Sequence, residues 1–183
     1  MINLQFTEQL PYPLTPALPP QIPSESWCWQ AHTISIASHE CLLLVEHQTQ
    51  YVMLFLDLNE QDYQAFEQVW LRRVMAEALT VTELSPNASE RLQQAILDRR
   101  NEIILTQGSG IQYQNELADI VQGLQVLMQL YGQLPQGESE EFRWGVVLNQ
   151  ARQINGCSPY QLFADSCLFQ LTENNKKYPR IVH

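Results

Sequence analysis

Ile2, Leu4 and Phe6 alternate with Asn3, Gln5 and Thr7, the period-two pattern of a strand with one buried face. From Trp27 to Ile36 the apolar positions fall on both parities, with Trp27, Trp29 and Ala31 on one side and Ile34 and Ile36 on the other. Cys41–Val45 and Tyr51–Leu56 are unbroken apolar runs, too short for helices of that richness, so they predict strands covered on both faces. The spacers Ala37–Glu40 and His47–Gln50 are hairpin-sized, which predicts an antiparallel meander.

After Leu58 the period lengthens. Tyr63, Phe66, Trp70 and Val74 follow helical spacing, with Leu71, Ala78 and Leu79 widening the stripe, and Asn59 is a suitable N-cap ahead of acidic Glu60 and Asp62. Ser85-Pro86-Asn87 interrupts the chain before a second helix carrying Leu92, Ile96 and Leu97, which Arg99-Arg100-Asn101 ends. Residues 102–106 read as another short strand. Leu117, Ile120, Val121, Leu124, Leu127, Met128 and Tyr131 form the cleanest helical stripe, closed by Gly132. Trp144, Val147, Leu148 and Ala151 predict a further helix behind the acidic run 138–141. Asn155-Gly156 is a turn, and Tyr160, Phe163, Ala164, Cys167, Leu168 and Leu171 predict the last helix. The expected architecture is α+β: a mainly antiparallel sheet of four or five strands with four or five packed helices.

Two segments stand outside that pattern. Six of the ten prolines fall between Pro11 and Pro23, which rules out helix and central strand there and predicts an extended connector lying on the domain. Residues 173–183 read as a polar tail. The whole of 1–183 is expected to be one domain, long enough to bury about 70% of its unfolded surface without a disulfide or metal staple.

Charge narrows the function. The net charge is −10, and the first 71 residues hold eight acidic side chains before the first fixed cation, Arg72. Direct nucleic-acid binding needs Lys and Arg to displace phosphate counterions, and anionic membranes need the same, so neither is expected as a partner. A basic protein surface suits the sign. The N-terminus has no basic, apolar leader pattern and no run approaches a membrane span, so a cytoplasmic location is expected. Four scattered cysteines without CxxC spacing then read as buried thiols.

The candidate chemistry is sparse. Cys28, His32, His39 and Cys41 suggest a metal, but Cys28 and His32 on one strand stand ~13 Å apart at ~3.3 Å per residue, far beyond a shared ion; no metal site and no cofactor are predicted. The turn 106–110 could offer backbone N–H groups to an anion, yet it lacks a P-loop lysine and does not match GxGxxG. Ser109 lies in Gly-Ser-Gly and not in a GxSxG elbow, and the histidines are His32, His39, His47 and His183; no catalytic residue is assigned.

Trp29-Gln30-Ala31-His32, Glu40-Cys41-Leu42-Leu43-Leu44-Val45 and Thr49-x-Tyr51-Val52 together resemble a bacterial family known only as a domain of unknown function. Its members read Trp-His-Ala-Asn, then a Lys-Cys-Leu-Leu-type strand, then a hairpin threonine. The resemblance resumes from Thr106 to Leu117, where the family has a Thr-x-Asn-Arg-Ser-type turn leading to Asn-Asp or Asn-Glu. Asn115-Glu116-Leu117 matches, whereas Gln30 and His32 replace the family's His and Asn, and Gly108 departs from the family's turn. The resemblance implies no activity. It does point to Trp29, His32, Thr106, Ser109, Asn115 and Glu116 as a ligand or partner site.

The expected function is a non-catalytic protein-binding or regulatory module. The alternatives are a small-molecule-binding or hydrolytic enzyme with a pocket between strand 29–32 and turn 106–116, and an acidic inhibitor that mimics nucleic acid.

Overall fold

A computed structural model describes residues 2–6, 27–100, 103–107 and 114–177. Five strands form one sheet: β1 (Ile2–Phe6), β2 (Trp27–Ile36), β3 (His39–Glu46), β4 (Val52–Leu56) and β5 (Ile103–Gln107), in the order β4-β3-β2-β1-β5. The meander β2-β3-β4 is antiparallel as expected, with Ala31 opposite Leu44 and Leu43 opposite Leu54. At the other end the sheet is parallel, because β1 inserts between β2 and β5 and runs with both. The proline-rich segment 11–23, and turn residues 108–110, lie outside the described residues.

The helices are α1 (Glu60–Gln64), α2 (Phe66–Thr82), α3 (Pro86–Leu97), α4 (Gln114–Tyr131), α5 (Glu138–Ala151) and α6 (Pro159–Lys177). There is one more than expected, because Ala65 leaves helical geometry (φ −104°, ψ 20°) and splits the first predicted helix in two. Asn59 caps α1 as predicted, accepting from the Gln61 and Asp62 N–H groups while Asp62 accepts from the Asn59 N–H. Pro86 begins α3 at a position where its missing N–H costs nothing. Helix α6 runs on to Lys177, into the expected polar tail; residues 178–183 lie outside the described residues.

Side-chain alternation along the strands divides the core. One face carries Leu4, Trp29, Leu44, Met53 and Phe55 under α1, α2, α3 and α6, centred on Trp70, Phe66 and Phe163. The second face carries Ile36, Cys41, Leu43, Val45 and Leu54 under Ile120, Leu124 and Leu127 of α4 and Trp144 and Leu148 of α5. Among the described residues no helix is long and apolar enough to cross a membrane.

Candidate functional site

Strand pleating separates the residues that sequence had grouped. Trp29 is fully buried on the first face, its ring meeting Trp27, Trp70 and Phe163 edge-on at 6.1, 5.9 and 5.8 Å. It is a core residue. His32 and Thr106 sit on the second face, both buried. Thr106 lies level with Gln5 and Gln30 across β1 and β2, and His32 is two residues further along β2; at ~4.8 Å per strand and ~3.3 Å per residue they stand ~12 Å apart. Ser109 lies outside the described residues. Asn115 and Glu116 fall in the first turn of α4, and their side chains lie outside the description.

Around His32 and Thr106 the second face is a layer of neutral hydrogen-bonding groups. Thr106 Oγ1 donates to Asn3 Oδ1 at 3.0 Å and Gln30 Nε2 donates to Gln5 Oε1 at 3.3 Å. Cys28 faces Asn3, but burial, assisted by the Glu46 charge, raises its thiol pKa and outweighs the Asn3 hydrogen bond. A thiol held protonated is a poor nucleophile.

A second polar cluster escaped the sequence reading. Arg73 of α2 is buried with Glu77 one turn on, Nε donating to Glu77 Oε1, and its Nη1 donates to Glu141 Oε2 of α5 at 3.0 Å. Its guanidinium stands over the Phe55 ring, 5.5 Å from the centroid. Burial pushes both carboxyls above the usual range, with Arg73 acting against the shift in each. The Tyr51 hydroxyl approaches Glu77 without closing a hydrogen bond of good geometry. One cation thus faces two carboxyls, a set suited to clamping α2 to α5.

The same α5 seals the open edge of the sheet. Glu141 Oε1 accepts the Leu56 N–H at 3.1 Å, and Asn149 pairs with both backbone groups of Val52. Between them Gly145 passes close to the strand, where an added Cβ would lie 3.5 Å from the Val52 carbonyl oxygen. Eight helical residues rise ~12 Å and four strand residues ~13 Å, so 141, 145 and 149 keep step with 56, 54 and 52. Arg152 Nη1 adds a bond to the Gln50 carbonyl at 2.9 Å. Three of the backbone groups that make an edge strand adhesive, at Val52 and Leu56, are thereby occupied.

On its outer side α5 forms a groove with α4. A cavity of about 500 Å³ is lined by Asp119, Gly123, Val126, Leu127, Val147 and Leu148. Val147 also lines a second cavity of about 250 Å³ beside Tyr131, Leu134, Glu140, Arg143 and Trp144. Val126, Leu130 and Tyr131 are 55%, 72% and 55% exposed. Val126 and Leu130 stand one turn apart and off the α4 core stripe, which is the sequence signal for this surface.

Residues 3–151 match the model of a family described as "Domain of unknown function (DUF6933)". The chain belongs to this family. A search of curated proteins finds no match. The family segment spans all five strands and helices α1 to α5, so it holds the polar layer, the Arg73 cluster and the groove. The resemblance motifs take on distinct tasks within it. Trp29 and Ala31 enter the core, Gln30 and His32 enter the polar layer, and the buried Thr49 shapes the β3-β4 hairpin. Thr49 donates its hydroxyl and its N–H to Glu46 Oε2 at 2.8 and 2.7 Å.

Proposed function

We propose that the chain is a non-catalytic protein-binding module of the bacterial cytosol, and that the α4–α5 groove is where it holds a partner. The carrying observation is the pair Val126 and Leu130, both left open to solvent, with Val126 lining the apolar groove. Contiguous exposed apolar surface of this kind is characteristic of contact faces. From Asp119 to Tyr131 the groove follows ~18 Å of helix, room for about three turns of a partner helix lying between α4 and α5. The apolar anchors supply residence time, while the −10 charge of the chain acts mainly on the association rate.

The test is affinity capture with the intact chain and with Leu130→Glu, a change at an exposed site that leaves the core untouched. Proteins recovered by the intact chain and lost on substitution support the reading. Equal recovery by both chains contradicts it.

A second reading rests on the polar layer. Asn3, Gln30, His32 and Thr106 are buried hydrogen-bonding groups on one face, of the kind that orients a polar small molecule. A metabolite that raises the melting temperature saturably in the intact chain, and not in His32→Ala, would favour the enzyme or ligand-binding alternative.

A further inference from the structure

We infer that the occupant of the α4–α5 groove is a second copy of this chain, packed about a two-fold axis near Val126 and Val147. The inference rests on reading the groove as a protein contact face and names its partner. From Leu117 to Tyr131, α4 carries one charged residue, Asp119, and its exposed polar positions Gln122, Gln125 and Gln129 are neutral amides. In a chain of net charge −10, this helix face is where two copies can approach with little repulsion.

The ends of the groove carry different charges. Asp119 lines one end, and Arg143 with Glu140 the other. Asp119 and Arg143 are exposed, and among the described residues neither takes part in an ion pair. Glu140, beside Arg143, turns its Oε2 back on the Gln136 N–H at 2.7 Å, and Arg143 is the more exposed of the two. A two-fold axis through the middle of the groove sets each Asp119 against the partner's Arg143. An isologous interface requires a surface of this self-complementary kind.

The face is small. Helix α4 is ~27 Å long and two helices side by side are ~20 Å wide, a footprint on the order of 500 Å² per copy. That is below the roughly 800 Å² per partner of a standard stable interface, so the dimer is weak and reversible.

Sedimentation equilibrium of the purified full chain tests this, with Val126→Glu, Asp119→Arg, Arg143→Asp and an equimolar mixture of the two charge reversals. The expected result is a concentration-dependent dimer that Val126→Glu abolishes and that each reversal alone weakens about tenfold. A mixed dimer of the two reversals again sets a cation against a carboxylate at both ends of the groove, so the mixture should recover the affinity. The two reversals lie at exposed sites and keep the test valid if Val126→Glu fails to fold. A dimer indifferent to all these changes overturns the inference by placing the contact elsewhere. A monomer overturns it too: if Leu130→Glu still removes captured proteins, the binding reading stands without self-association, and if it does not, both fall.

Discussion

Asn149 pairs with Val52 as a neighbouring strand would: its Oδ1 accepts the Val52 N–H and its Nδ2 donates to the Val52 carbonyl, each at 2.8 Å in a buried setting. Asn149→Ala strands both backbone groups, and at ~1–3 kcal/mol for each unsatisfied buried group the expected loss is about 2–6 kcal/mol. Urea titration should show a lower midpoint at unchanged slope. A loss under ~0.5 kcal/mol would mean that water reaches this edge and α5 does not seal it.

Arg73 is held by Glu77 and Glu141 at once. Arg73→Met keeps much of the volume but leaves two buried carboxyls without their cation, an expected cost of about 3–5 kcal/mol. Arg72→Met, at the exposed pair with Glu138, should fall within ~0.5 kcal/mol of the parent. Equal effects at the two positions would show that the buried cluster has no special hold on α5.

Buried carboxyls set a pH dependence. Burial raises Glu46, Glu77 and Glu141 above the ordinary carboxyl value of 4.5, so the folded chain binds these protons more tightly than the unfolded one. Their stabilisation is fully present below about 4.5 and is lost as pH rises through the folded values. The urea midpoint should therefore fall from pH 5 to pH 8. Repulsion in an acidic chain acts in the same direction, so the decisive comparison is Glu77→Gln, which should flatten the slope, against exposed Glu67→Gln, which should not. Identical slopes would contradict the assignment.

Burial raises Cys41 to about 12 and also pushes Cys167 and Cys28 up, whereas Cys157 is exposed. Thiol titration of the native chain at pH 8 should label Cys157 rapidly and Cys28 slowly, with Cys41 and Cys167 reacting only on unfolding. Rapid labelling of Cys41 would show that α4 leaves the sheet in solution.

Much of the fold was legible because burial follows period. The two parities of Trp27–Ile36 assigned the faces of β2, and the α4 stripe assigned its core side. The parallel placement of β1 was not legible, since that pairing is set by a long connection and not by the strand's own residues. Arg73 and Glu77 are an i, i+4 pair that the helical stripe did not single out, although Glu77 sits on the Trp70–Val74–Val81 line, where a carboxylate must be buried. Glu141 and Asn149 act on a strand 85 and 97 residues away, a relation no local pattern encodes. Trp29 and His32 were grouped by sequence proximity, and the strand's alternation sends them to opposite faces.

The most direct measurement of the central claim is site-specific photo-cross-linking in cells, with a photoreactive residue at Leu130 and, as reference, at exposed Gln68 on α2. A contact face at the α4–α5 groove predicts a discrete cross-linked protein product from position 130, absent from position 68 and lost when Val126→Glu is added. Equal or absent cross-linking at the two positions would contradict it.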